Sequence, residues 1–364
     1  MNLNYGVNGS LSVQAARPIV VASTTAIGVV GTSTGNYGLH KFNNAEEAIA
    51  FLNGEGITGD ILNAVKAINL QAVNCPVVLN LCADDSVLDA IDLFKSTEAL
   101  TGINLMGGLI MAPVLSTDLA IGTKLDAVAT AIWATALIDN FDDSEADVSS
   151  WASNYGSSSS LLTHGLYTAD GVEVTASALF AGVIAHYDAK PFGWAKSHSN
   201  RVVKGVSAVD RAIEYLDGSE CEARRMRQKG IATIIRDIGW RTYGFETTDI
   251  DPIWQSLDRV RTFQRLLSAI TLSSKYARDR EASELIWVKK SVTEFMNELK
   301  GNDVIIGFEV YFDTEKNTKA TVTAGKFYLT IKLSDMPSVR ELNIELVYSD
   351  DYNDVLINYI NGEG

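Results

Sequence analysis

A mixed fold, α/β in its first half and α+β in its second, follows from three observations. Apolar runs alternate with amphipathic helical patterns up to about residue 140, and two long helical patterns followed by strand patterns fill the region after residue 255. The chain has 364 residues, 46% hydrophobic with only 6 prolines, enough to bury a large core in two or three domains.

Residues 1 to 17 are polar and glycine-containing, with sparse apolar positions (Val7, Leu11, Val13) that have no local partner, and they read as an arm. From Ile19 the pattern becomes apolar, with a strand at Thr25 to Thr32. Asn44 before Glu46 and Glu47 predicts a helix N-terminus, with Gly54 as its stop, and a second helix opens at Asp60 with Ile61, Leu62, Val65 and Ile68 on one face. The sequence then predicts a strand at 76–81, a helix at 86–100, a strand at 105–112, a helix at 117–130 and a strand at 133–138. This alternation is the mark of a mostly parallel sheet.

The acidic run Asp139 to Asp147 and the serines after Gly156 read as loops. Beyond a boundary near 195, strands are expected at 201–206 and 231–236, and Asp251 and Pro252 look like an N-cap and first helical residue. Val260, Phe263, Leu266, Leu267 and Ile270 share a helix face, as do Leu285, Val288, Val292, Phe295, Met296 and Leu299 in a helix over 282–300. Strands are predicted at 304–312, 326–333 and 341–348. In the last, Leu342, Ile344, Leu346 and Tyr348 alternate with polar residues, which predicts one buried and one wet face. The tail 355–360 reads as an isolated strand, with Val355, Ile357 and Tyr359 on one side.

The net charge of −15 opposes extended contact with nucleic acid or an anionic membrane. Residues 196–300 are the exception, with 19 basic against 15 acidic side chains. Three cysteines without CxxC spacing predict buried reduced thiols, and the sequence offers neither a signal peptide nor a 20-residue apolar span. Gly28, Gly31 and Gly35 run from within the first strand to just past it, where a phosphate loop would lie, but lack GxGxxG or GxxxxGK[ST] spacing, so they read as an ordinary glycine-rich turn. His40, His164, His186 and His198 form no HExxH or HxxxH pair, and no GxSxG is present. No catalytic residue, metal site or cofactor is therefore expected. The dense basic run Arg224 to Lys229 reads as a solvated helix face or a protein contact.

In the second half, Ser199-Asn-Arg-Val-Val-Lys-Gly-Val after Phe192-Gly-Trp, the run Ile231 to Gly244, Thr247-Thr248, Asp251-Pro-Ile-Trp, Asp258-Arg-Val-Arg, Asp313, Asn317-Thr318 and Ala324-Gly-Lys form a collinear set. That set resembles the contractile tail sheath proteins of myoviruses and of related phage-tail-like particles such as R-type pyocins. Arg17-Pro-Ile, Thr25 to Thr32, Val172-Glu-Val and Ser177 to Gly182 carry a weaker likeness in the first half. Departures are His198 in place of proline, Glu246 in place of arginine, and the order of Asp258 to Arg261. The family also casts 254–259 as extended, against a helix begun by proline, which leaves that boundary open.

The resemblance implies a structural subunit, not an enzyme, in a virion tail sheath, made in the host bacterial cytoplasm. Six subunits per ring would stack around an inner tail tube protein, bounded by baseplate and tail terminator proteins, with no nucleic acid or direct membrane contact. On this reading residues 1–18 and 349–364 are arms that add strands to neighbouring subunits, 19–195 face outward and 196–348 form the inner sheath core. Arg278, Arg280, Lys289 and Lys290 are candidates to face the tube. The rival reading is an α/β enzyme with a ligand site in the first domain's sheet crevice. An inert wall that assembles without contracting is a third.

Overall fold

The structure is a computed structural model and describes residues 17–362. Val7, Leu11 and Val13 lie outside the described residues. In chain order come β1 (Ile27–Thr32), β2 (Gly38–Phe42), α1 (Ala45–Gly54), α2 (Asp60–Leu70), β3 (Val77–Cys82), α3 (Val87–Leu93), α4 (Thr97–Thr101), β4 (Leu109–Met111), α5 (Leu119–Ile132) and β5 (Thr135–Asn140). Next along the chain are α6 (Glu145–Ala152), β6 (Ser160–His164), β7 (Leu166–Ala169), β8 (Val172–Thr175), α7 (Ala176–Asp188), β9 (Val206–Val209), α8 (Glu222–Gln228), β10 (Ile231–Arg236) and β11 (Trp240–Tyr243). The chain closes with α9 (Leu257–Ser274), α10 (Glu284–Gly301), β12 (Ile305–Phe312), α11 (Lys319–Thr323), β13 (Leu329–Asp335) and α12 (Asn353–Ile360).

The main sheet has eight strands in the order β11-β10-β6-β5-β4-β1-β3-β2. Its six inner strands are parallel, and β2 and β11 close the edges in antiparallel pairing. Strands β3 and β5 are buried at every residue because helices cover both faces, which is why they read as continuous apolar runs. Helices α1, α2 and α7 cover one face and α3, α5 and α8 the other. The sheet is continuous across residue 195, since β10 pairs with β6. A small antiparallel sheet, β8-β7-β9, turns at Asp170 and Gly171, whose positive φ values of 50° and 76° suit a two-residue hairpin. A third core holds α9, α10 and the β12–β13 hairpin, joined by Ile19 and Trp194 from earlier in the chain.

Several expectations hold at residue level. Asn44 caps α1 by accepting from the Glu47 amide, and Val292, Met296 and Leu299 are fully buried along α10. Others need correction. The helix expected over 86–100 breaks into α3, a 3-10 turn and α4. The acidic loop 139–147 contains the start of α6, capped by Ser144, and Asp139 itself lies in β5. Pro252 lies in a turn closed by the Trp254 amide on the Asp251 carbonyl, and α9 begins only at Leu257. Gly28 and Gly31 are strand residues rather than turn residues. A Cβ on Gly28 would sit 2.9 Å from the Phe94 ring and one on Gly31 2.5 Å from Ile61, so glycine lets helices lie close on β1.

The largest corrections fall at the C-terminus. Residues 341–348 form no ladder among the described residues, and both of their faces are open: Leu342, Ile344, Leu346, Val347 and Tyr348 are all exposed. Val355, Ile357 and Tyr359 sit on helix α12 and not on a strand. As a strand, 355–360 would split its apolar residues between two sides. As a helix it gathers Tyr352, Val355, Leu356, Tyr359 and Ile360 into one stripe.

Candidate assembly surfaces

The sheet body and the α9–α10 unit are locked together by a buried polar junction. Asp188 ends α7, Thr25 precedes β1, His198 comes after the Trp194 turn, and Arg261 and Arg265 lie one turn apart on α9. All five side chains are buried. Arg261, Arg265 (3.2 Å) and the Thr25 hydroxyl donate to Asp188 Oδ2, and His198 Nε2 donates to Oδ1 at 2.7 Å. Burial alone would raise the Asp188 carboxyl, but Arg261, His198 and Arg265 outweigh it and hold it well below the usual carboxylate range. Burial lowers His198 more than Asp188 raises it, so its contact is a hydrogen bond from a neutral imidazole rather than an ion pair.

Gly193, in the Phe192-Gly-Trp segment, permits this junction. A Cβ there would lie 1.8 Å from the carbonyl oxygen of Tyr187, directly before Asp188. The sequence resemblance touches Thr25, His198 and the Asp258 to Arg261 segment but not Asp188 or Arg265. The five groups come from three separate parts of the chain, around 25, 188–198 and 261–265, and no local pattern connects them.

A second buried carboxylate, Asp139, sits at the N-terminus of α7. It accepts from the Ser177 amide (3.0 Å), the Ser177 hydroxyl (2.7 Å) and the Thr163 hydroxyl (3.1 Å). Desolvation exceeds these bonds and pushes its pKa up to about 6. The crevice considered for a ligand is thus filled here by α7. The open hollow beside β1 and β3 is lined by residues 32–37, 55–58, Ala83 and Asp84, with Glu55 and Asp84 its charged groups and no cation to hold a phosphate. Among the described residues no cluster of His, Cys, Asp and Glu is placed to hold a metal ion, and no helix is long and apolar enough to cross a membrane.

The basic excess of the middle segment is largely spent inside the chain. Arg225 makes a two-pronged pair with Glu145 (2.9 and 2.8 Å), Arg227 one with Glu246 (3.0 and 2.7 Å), Arg211 meets Glu222 and Arg259 meets Asp335. The run Arg224 to Lys229 is therefore an internal brace more than a free basic face. Arg278 and Arg280 are exposed beyond the end of α9. Lys289 lies 5.8 Å over the Phe312 ring, and Lys290 lies over Trp287 and 4.0 Å from Glu294. These four cations are spread along the linker and α10 and form no single cluster.

The hairpin β12–β13 pairs only with itself among the described residues, so both outer edges carry unpaired backbone groups. After β13 the chain is pinned over 336–340, beginning with the Met336 amide, which donates to the Val304 carbonyl at 3.1 Å. Ser338 donates to Asp258 at 2.6 Å, and Arg340 reaches Ser256 (2.7 Å) and Glu246 (3.0 Å). Glu246, the departure from the family pattern, thus holds Arg227 and Arg340 together. Past Arg340 the hydrogen bonds of the described residues are all local, and the apolar side chains stand in solvent, Leu346 at 94%.

Comparison with known proteins bears on these surfaces. Residues 249–348 match the phage tail sheath C-terminal domain. The chain is 33% identical over 255 residues to a putative prophage major tail sheath protein of Pseudomonas aeruginosa (strain UCBPP-PA14), covering 67% of this chain and 65% of that protein. It is 26% identical over 189 residues to the tail sheath protein of Escherichia phage P2, covering 51% and 48%. The chain thus spans between about half and two thirds of the curated relatives it matches. Among solved structures, the contracted helical sheath of the anti-feeding prophage superposes with a TM-score of 0.70 at 17% identity over 96% of this chain and 100% of that one. The contracted PVC sheath complex of an extracellular contractile injection system gives 0.71 at 14% identity over 97% and 99%. These likenesses establish the fold, and by sequence the chain is related to tail sheath proteins. The relatives are sheath proteins, and the enzyme alternative finds no support among them.

Proposed function

We propose that this chain, a relative of tail sheath proteins whose C-terminal part matches the sheath C-terminal domain, is the structural subunit of a contractile sheath around an inner tail tube. The observation that carries the proposal is the segment 341–360. A chain that buries its sheet strands on both faces leaves about twenty residues of apolar, hydrogen-bond-competent arm without a partner among the described residues. Such a segment is stable when it completes a neighbour's sheet, and the β12–β13 hairpin of a second copy offers two open edges for residues 341–348. Residues 1–18 supply the matching arm at the other end.

Subunits assemble six to a ring, stack between baseplate and terminator, and contract when the baseplate releases them. The work comes from the difference between two packings of nearly rigid bodies, about 1–3 kcal/mol per subunit summed over a long polymer. The rigid body is the sheet and α9–α10 unit tied by Asp188, Arg261 and Arg265, and the arms are the hinges. Residues 19–195 face outward and 196–340 inward, with β10 and β11 tying the two, while 341–348, counted with the inner core from the sequence, belong with the arm. Arg278, Arg280, Lys289 and Lys290 present weak, screened charges to the tube, each pair worth roughly 0.2–1 kcal/mol, which permits sliding.

Negative-stain microscopy of the purified chain over a range of concentration and salt tests the proposal: rings or tubes are expected, and monomers or dimers throughout would refute it. Lys289→Glu with Lys290→Glu should weaken co-assembly with the tube and flatten its salt dependence. Unchanged binding with unchanged salt dependence would remove these two lysines from the tube-facing surface.

A further inference from the structure

The matched sheath domain ends at residue 348, and α12 lies past it. Its stripe of Tyr352, Val355, Leu356, Tyr359 and Ile360 is exposed along its whole length, while Asn353, Asp354, Ile357, Asn358 and Asn361 occupy the remaining surface. An eight-residue helix in water is too short to hold itself together, so a stripe of this kind is ordered by the surface it lies on. The same fold carries a hollow of the complementary kind. Between α9 and β13 a cavity of about 340 Å³ is lined by Trp133, Trp254, Phe263, Leu267, Ile331 and Leu333, with no charged residue among its walls. Leu267 is 45% exposed at its mouth.

We propose that α12 of one subunit seats its apolar stripe in the α9–β13 hollow of a second copy, a helix-in-groove contact additional to strand exchange by the arm. This inference rests on the sheath reading for its setting but not for its chemistry. Three features select the occupant. The chain's own α12 stands free while its own hollow stands open, so the two do not meet within one subunit. The residues between Arg340 and Asn353 span roughly 40 Å when extended, enough to reach across to a neighbour. Finally, Asp350, Asp351 and Asp354 cluster at the start of α12, whereas Lys275, Arg278 and Arg280 come after the end of α9, interrupted by Asp279 and Glu281. Seating the N-terminus of α12 toward the C-terminal end of α9 brings the opposite charges together.

The test uses the full chain. Cys75, Cys82 and Cys221 are buried, so thiol background is low. Chains carrying Leu356→Cys and chains carrying Leu267→Cys are mixed, assembled and mildly oxidised, with Asn358→Cys replacing Leu356→Cys as the off-stripe control. A disulfide joining the two variants, at several-fold greater yield than with the control, is expected. No excess over the control overturns the docking, as does a bond formed only within a single chain carrying both cysteines. The same samples are viewed by electron microscopy. Tubes without the cross-link remove the docking and leave the sheath reading. Cross-linked pairs without tubes remove the sheath reading and leave the docking, and the absence of both removes both.

Discussion

The eight-stranded sheet and the segment after β13 are both rich in apolar residues and have opposite fates. In β3, β4 and β5 every residue is buried, because helices of the same chain close both faces. In 341–348 the alternating leucine and isoleucine positions are all exposed. The difference lies in the sequence neighbouring each segment. A strand flanked by helical sequence brings its own cover, whereas 341–348 meets none among the described residues and carries the need for a partner outward. Apolar pattern therefore reports that burial is required, and chain context decides whether the partner is internal.

Breaking the internal side of this contrast should cost the most. Asp188→Asn leaves Arg261 and Arg265 buried without their carboxylate, and urea denaturation should show a loss of about 3–5 kcal/mol. A loss below about 1 kcal/mol would mean that the junction is not what holds the body together. Gly193→Ala forces the Tyr187 carbonyl away from its place and should cost about 3 kcal/mol, at the upper end of overpacking penalties.

A subtler internal effect depends on pH. The pKa of Asp139 is raised in the folded chain from 3.8 to about 6, so its contribution to stability is fully present below pH 3.8 and is lost as pH rises through 6. Asp139→Asn lacks that dependence. Its stability relative to the wild type should therefore climb between about pH 4 and 6 and level off above. A flat difference across this window would show that Asp139 titrates normally.

On the external side, changes to the tail should leave stability almost untouched. Ending the chain at Tyr352, so that Asn353 is the first residue removed, or substituting Leu356→Asp, should change unfolding free energy by no more than about 0.5 kcal/mol, since no core contact is lost. Circular dichroism should stay near that of the wild type while long tubes vanish. Normal tubes from the shortened chain would refute the tail as an assembly element.

Much of the body is legible in the sequence because its elements are amphipathic or apolar over their full length. Asn44 and Gly54 bracket α1, and the Val288, Val292 and Leu299 spacing marks α10. Helix α7 escapes such a reading because eleven of its thirteen residues are buried, and a helix apolar all round has no stripe to find. Strand β6 is hidden by the serines before it, which read as loop. The tail is ambiguous for a different reason: a six-residue apolar run fits a strand or a helix equally well by periodicity. The Asp188 junction is invisible because its members lie up to 240 residues apart, as Thr25 and Arg265 do. Of the candidate surfaces, 355–360 can be seen as apolar sequence without a partner, whereas 341–348 reads as a core strand with one buried face and is found exposed. The internal pairing of Arg225 and Arg227 cannot, since Glu145 and Glu246 lie 80 and 19 residues away from them.

Whether 341–360 is partner surface rather than loose tail is decided by hydrogen exchange on assembled and dissociated protein. The amides of 341–348 should exchange at nearly unprotected rates in the dissociated chain and slow by several orders of magnitude on assembly, while β3 and β5 stay protected in both. Equally fast exchange of 341–348 in well-formed tubes would show that the arm has no partner in the assembly.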